Sequence, residues 1–170
     1  MKIRSAVPDE HEALSRLAYA AKAYWVYSSD QLSIWKSELT FKPETISAWP
    51  TWVAEIDAMP VGVVQLNPTV DPCELESLWV HPMAMGRGIG KALLRQALDA
   101  ARQLGRSEVA IDSDPNAESF YLSCGAVRVG EVPAPIVGQP GRIRPQLRLP
   151  THPLFPLPSG RPSTTSGGWV

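Results

Sequence analysis

Cysteine is scarce in this chain of 170 residues: only Cys73 and Cys124 occur, far apart and in unlike contexts. That excludes a scaffold stapled by several disulfides, and two free thiols in a cytosolic protein fit better than a single bridge. Histidine is nearly as rare, and its three copies lack the paired spacing of a metal site, so no metal is expected. Positive charge is not in excess, since 16 Lys and Arg stand against 17 Asp and Glu for a net charge of −1. General binding to nucleic acid or to a membrane surface needs a basic face and is not expected. No apolar run approaches the roughly 20 residues of a membrane span. Met1-Lys2-Ile3-Arg4 leads into charged residues rather than an apolar secretory segment, so a cytoplasmic location is expected.

What remains is the balance of an ordinary soluble domain, 44% hydrophobic and 19% charged. Residues 1–150 carry all the periodic segments, whereas 151–170 is punctuated by proline and then rich in Ser, Thr and Gly. The reading is one domain over 1–150 followed by an extended arm and disordered tail. Lys2 to Ala6 alternates as a first strand, and Pro8-Asp9-Glu10 opens a helix bearing Leu14, Leu17, Ala18, Ala21 and Trp25 on one face. A second helix is expected from Ser29 to Leu39, and a short helical turn near Pro43. Strands follow at Thr51–Ile56 and Val61–Leu66, joined by Asp57-Ala58-Met59-Pro60. Further strands are read at Leu75–Val80, Ser107–Asp112, Ala126–Gly130 and Ile143–Leu149. A helix is expected to start at Asp114-Pro115 and to run to Gly125. This order of elements predicts an α+β, mixed α/β domain.

The stretch from Glu74 to Gly105 organises the chain. A β-prone run (Leu75, Leu78, Trp79, Val80) is stopped by His81-Pro82, and Gly86, Gly88 and Gly90 then alternate with Arg87 and Ile89. From Ile89 the apolar residues Leu93, Ala97, Ala100 and Leu104 fall at helical spacing, with Gly105 as C-cap. A glycine turn entering a helix exposes unpaired N–H groups at the positive end of the helix dipole, which suits a phosphate. A dinucleotide turn is excluded because Lys91 replaces its third glycine, and a P-loop because Met85 and Ala92 occupy required positions. A turn that merely packs helix on strand is the plainer alternative. His81, at a strand end before proline, reads as structural.

Val80-His81-Pro82-Met83-Ala84-Met85-Gly86-Arg87-Gly88-Ile89-Gly90 resembles the acyl-CoA signature of the GNAT N-acetyltransferase superfamily, with Met85 where Arg or Gln is usual. Downstream, Asp114 to Ala126 is similar to the family's second signature, with Asp114 at the usual Asn position and Asn116 two residues later. The resemblance implies a GNAT fold, with a central, mixed, largely antiparallel and splayed sheet flanked by helices. It implies acetyl-CoA as acyl donor and a primary amine of a small molecule or peptide as acceptor, acetylated by direct attack. It assigns the donor to Leu78, Trp79 and Val80 of the strand, to Met85, Gly86, Arg87, Gly88, Ile89, Gly90 and Lys91, and to Asn116, Ser119 and Tyr121. Asn116 stands in for the usual contact with the pantetheine.

Tyr121 matches the family's general acid beside the sulfur. Glu74 and Glu76, two apart on one strand face, are candidate bases. Among the aromatic residues Tyr24, Trp25, Tyr27 and Trp35, Tyr27 is the pocket candidate, while Trp25 is expected to pack in the core although it too can face the acceptor. A homodimer is the assembly the family commonly forms. The alternative function is a GNAT-fold module that binds an acyl-CoA without transferring the acyl group.

Overall fold

A seven-stranded sheet organises residues 1–152, the part of the chain that the computed structural model describes. Of the arm and tail expected over 151–170, residues 153–170 lie outside the described residues. The strands are β1 (Lys2–Ser5), β2 (Thr51–Ile56), β3 (Met59–Asn67), β4 (Cys73–Val80), β5 (Glu108–Asp112), β6 (Val127–Pro133) and β7 (Ile143–Pro150). They lie in the order β1-β2-β3-β4-β5-β7-β6. Every pairing is antiparallel except β4 with β5, which is parallel. The helices are α1 (His11–Ala23), α2 (Ser29–Ile34), α3 (Pro43–Ala48), α4 (Ile89–Gln103) and α5 (Glu118–Ser123). No helix among the described residues is long and apolar enough to cross a membrane.

Period-two alternation decides which side chains of the sheet meet which helix. Val64 and Leu66 of β3 join Val109, Ile111, Leu147 and Leu149 under the buried stripe of α4, which is Ile89, Leu93, Leu94, Ala97 and Ala101. Val63 and Val53 point the other way, into a second core with Leu14, Leu17 and Ala18 of α1 and with Leu39, Phe41 and Ile46. Because β3 is buried on both faces, its sequence is a nearly continuous apolar run rather than an alternating one. Leu93 is fully buried, and its truncation to alanine would cost about 2–5 kcal/mol.

Three local readings of the sequence need correction. The β2–β3 hairpin turns on two residues only, Asp57 and Ala58, with φ of 51° and 62°, so β3 begins at Met59. Two left-handed residues match the twist of the flanking strands, which is why so short a turn closes without glycine. The second helix ends at Ile34, and the chain reaches Leu39 through successive turns closed by bonds such as Glu38 N–H to Trp35 O at 2.9 Å. The helix after β5 starts at Glu118 rather than at Asp114-Pro115. There the Asp114 carboxylate takes the Asn116 N–H at 2.8 Å in a local turn that delays the helix.

Two irregularities of β4 shape the site. Gln65 pairs with Ser77 but Leu66 with Leu75, which leaves Glu76 as the extra residue of a bulge. On its other side β4 pairs with β5 only at Cys73 and Glu74, so the two strands part from Leu75 onward. His81 N–H donates to Val61 O at 2.8 Å. Since an antiparallel ladder alternates, Trp79 turns its backbone groups to β3, whereas Leu78 and Val80 turn theirs toward the open wedge.

Candidate active site

The wedge between β4 and β5 is bordered on one face by α4 and α5 and on the other by a cleft beside α1. The α4 border is built by glycines. Gly86 and Gly88 have φ of 75° and 76°, values that side-chain-bearing residues avoid, and a Cβ at either would meet nothing within 4 Å. Open space therefore lies above the turn. The backbone N–H groups of six consecutive residues, Gly86 to Lys91, have no acceptor among the described residues. Gly90 is needed for a different reason, because a Cβ there would sit 3.2 Å from the Phe120 ring and hold α4 away from α5. Arg87 and Lys91 are exposed and form no ion pair among the described residues. Arg95, one turn beyond Lys91 on the same exposed stripe, extends this basic edge and was not picked out from the sequence.

Such a turn suits a polyanion: unpaired amides, the positive end of a 15-residue helix, open space and free cations converge. Met85 is half-buried and adds no charge, its N–H closing on Pro82 O at 3.3 Å. His81 Nδ1 accepts from Met83 N–H at 3.2 Å and so caps the short turn before the glycines, a structural task as read from the sequence.

Tyr121 of α5 is buried on the α4 side, within the core cluster of α4. No hydrogen-bond partner of its hydroxyl occurs among the described residues. Burial, followed by the influence of Cys124 and Asp114, holds its pKa well above the ordinary phenol value, so the hydroxyl stays protonated at neutral pH. Ser119 is exposed at the start of α5. The side chains of Leu78 and Val80 pack against the α4 core, and Trp79 packs toward α1.

The cleft on the other face has a volume of ≈ 520 Å³. Glu74, Glu76 and Trp79 of β4 line it together, as do Trp35, Glu38, and residues of β5 and β7. Strand alternation puts Glu76 on the face of Glu74, and the bulge shifts the alternation so that Trp79 shares that face. Partial withdrawal from water, and then the neighbouring Glu74, raise the Glu76 carboxyl above its usual range. Glu38, Glu74 and Glu76 have no ion-pair partner among the described residues.

The far wall is a buried polar knot. Asp114 accepts from Lys22 Nζ, from Tyr27 Oη at 2.9 Å and, more distantly, from Arg142 at 3.4 Å. Burial alone would raise the Asp114 carboxyl, but the charge and hydrogen bond of Lys22, then Asn116 and Tyr27, outweigh it and hold the pKa below the ordinary value. Asn116 is not a free amide, since its Nδ2 donates to Tyr27 Oη at 3.1 Å and Asp114 Oδ1 at 2.9 Å.

The aromatic residues are therefore reassigned. Tyr27 is buried behind the wall, edge-on to Trp35 with ring centroids 4.8 Å apart, and it does not line the cleft; Trp35 does. Trp25 lies beyond the end of α1, 37% exposed and edge-on to Tyr24, neither in the core nor in the cleft. A lysine on the apolar stripe of α1 was the visible signal for Lys22. Arg142 sits in a loop, within a Pro-Gly-Arg piece whose resemblance to a bacterial GNAT subgroup assigned it no role.

The sequence model of the acetyltransferase (GNAT) family matches residues 17–126, more than half of the chain. The chain belongs to the acetyltransferase (GNAT) family. It is 31% identical over 121 residues to N-acetyltransferase 8 of Mus musculus, an alignment covering 66% of this chain and 53% of that protein. The chain thus spans about half the length of that relative. Among solved structures, a GCN5-related N-acetyltransferase from Rhodopseudomonas palustris superposes with a TM-score of 0.71 at 21% identity, covering 86% of this chain and 93% of that one. PaiA N-acetyltransferase from Thermoplasma acidophilum, solved in complex with coenzyme A, gives 0.69 at 19% identity, covering 86% and 96%. These likenesses show the GNAT fold, a mixed α/β architecture with a splayed, mostly antiparallel sheet.

Proposed function

We propose that the chain is an N-acetyltransferase that takes the acetyl group of acetyl-CoA and passes it directly to a primary amine of a small molecule or peptide. One observation carries the reading. The wedge between β4 and β5 separates an amide-lined glycine turn on the α4 face from an acidic cleft on the α1 face. A donor and an acceptor thus have separate seats that meet at one opening.

The residues divide the work as follows. The amides of Gly86 to Lys91, with Arg87 and Lys91, fit the pyrophosphate of the donor. Leu78 and Val80 offer backbone N–H groups to the donor arm and to the acyl oxygen, where negative charge grows during transfer. Acetyl-CoA supplies the activated acyl group, a new N–C bond replacing its C–S bond. Glu76, with its raised pKa, accepts a proton from the acceptor ammonium at its carboxylate, directly or through water, with Glu74 keeping the cleft attractive to cations. Tyr121 donates the proton of its hydroxyl to the departing thiolate and regains one from the nitrogen of the new amide, so that neutral amide and free thiol leave together. Cys124 is half-buried and takes no covalent part. We assign the protein to the cytoplasm on its two free thiols.

Calorimetry with acetyl-CoA, paired with thiol release over a panel of amines, tests this reading. Binding together with turnover on at least one amine is the expected result. Binding with no turnover on any amine would point to a GNAT-fold module that holds acyl-CoA without transfer. Absence of binding would sink both.

A further inference from the structure

The side chain of Arg142 is only 5% exposed, yet its hydrogen bonds are poor. Of its five N–H donors, one makes a good bond, from Nη1 to Ala134 O at 3.0 Å. Nη2 reaches only long contacts, Asp114 Oδ2 at 3.4 Å and Tyr27 Oη at 3.5 Å. Nε is buried with no partner among the described residues. Asp114 Oδ2 is already engaged by Lys22 and Tyr27. Both cations also stack on one indole, Lys22 Nζ 4.4 Å and the Arg142 guanidinium 5.2 Å from the Trp35 ring centroid. Two positive charges therefore share a single carboxylate in the wall of the cleft. A buried charge without its own counter-ion is costly, and a guanidinium has the fork that matches a carboxylate in two parallel bonds.

The remaining charges of the cleft sharpen this asymmetry. Arg144 is matched by Asp112 at 3.0 Å and Arg148 by Glu108 at 3.4 Å, so neither contributes surplus charge. At the β4 border the surplus is negative, on Glu74 and Glu76, while Glu38 lines the cleft from the turns after α2. The cleft thus carries spare positive charge at the α1–β7 wall and spare negative charge at the strand where the amine must react. Its volume of ≈ 520 Å³ falls in the range of small-molecule sites.

We propose that the acceptor is an amine whose own small skeleton carries a carboxylate, an amino-acid-type substrate, with the carboxylate on Arg142 and the amine toward Glu76. This rests on the transferase reading for the identity of the cleft, but the recognition itself needs no turnover. Two outer residues complete the assignment: Trp35 holds the guanidinium in place by stacking, and Lys22 neutralises Asp114 so that Arg142 stays available.

The test uses matched ligands on the full chain. N-acetyl amino acids and their amides are compared for binding by calorimetry, and the free L-amino acids and their amides for thiol release in the presence of acetyl-CoA. At least one carboxylate ligand is expected to bind about tenfold or more tightly than its amide, the loss associated with an unpaired charged hydrogen bond. Arg142→Gln should erase that ratio, whereas Arg142→Lys should keep part of it. Acetyl-CoA affinity, which the α4 turn controls, serves as the check that both variants are folded. The proposal is overturned if amides bind and react as well as the acids, if plain diamines are the best acceptors, if no carboxylate ligand binds, or if the folded Gln variant keeps the preference. Failure of acetyl-CoA to bind would remove the transferase reading, while the carboxylate–amide comparison would still decide the role of Arg142.

Discussion

Lys22 and Asp114 form a buried ion pair across 92 positions of sequence, with side chains 11% and 10% exposed. It joins α1 to the loop after β5 and fixes the wall of the cleft. Removing one partner leaves an uncompensated buried charge, so Asp114→Ala should cost about 3–5 kcal/mol. Asp114→Asn, which keeps the shape and most hydrogen-bonding capacity, should cost less. Denaturant unfolding at neutral pH measures both. Because the folded-state pKa of Asp114 lies below its unfolded value, its contribution is present above the ordinary carboxylate range and is lost as pH falls through the folded pKa. The gap between wild type and Asp114→Ala should therefore close in acid. A gap that is constant with pH would deny the pair its electrostatic role.

Glu76→Gln should lower kcat/KM by about a hundredfold or more, the usual loss for a general base, with acetyl-CoA affinity retained. In the wild type, activity should fall as pH drops through a carboxyl pKa above the ordinary range, and the variant should lack that limb. Stability has the opposite sign. A carboxyl raised in the folded state is unfavourable when ionised, so folding gains as pH falls through that pKa, and Glu76→Gln should be neutral or slightly stabilising at pH 7. A variant that keeps the wild-type acid limb would move the base elsewhere.

Tyr121→Phe deletes one hydroxyl that has no partner among the described residues, so the fold should lose little. Turnover should drop by about a hundredfold at saturating substrates, while calorimetry gives an unchanged affinity for acetyl-CoA. Equal turnover would remove the acid role.

Gly88→Glu places bulk and negative charge in the open space of the amide turn, and acetyl-CoA affinity should fall about a hundredfold or more. Gly88→Ala meets no atom and should show mainly the roughly 1–2 kcal/mol strain of a side chain at positive φ. Circular dichroism on both variants separates lost binding from lost fold. If the Glu variant binds normally, the donor sits elsewhere.

Local chemistry along the sequence determines a good deal of this protein. The glycine spacing after a β-prone run, the stripe of α4 and the two family signatures were legible because they are written within about a dozen residues each. From them came the amide turn, the place of Tyr121, the two carboxylates on β4 and the fold class. Helix lengths at α2 and α5 were misread because turn bonds and the Asp114 side chain compete with helix propensity over a few residues. The acceptor wall was decided only by tertiary structure. Lys22, Tyr27, Asp114 and Arg142 are distant in sequence, and no local pattern joins them. Their meaning comes from being buried together, where low dielectric makes each charge depend on its partners. The sequence marks the glycine turn because backbone conformation is local; the cleft had to await the fold because charge balance is not.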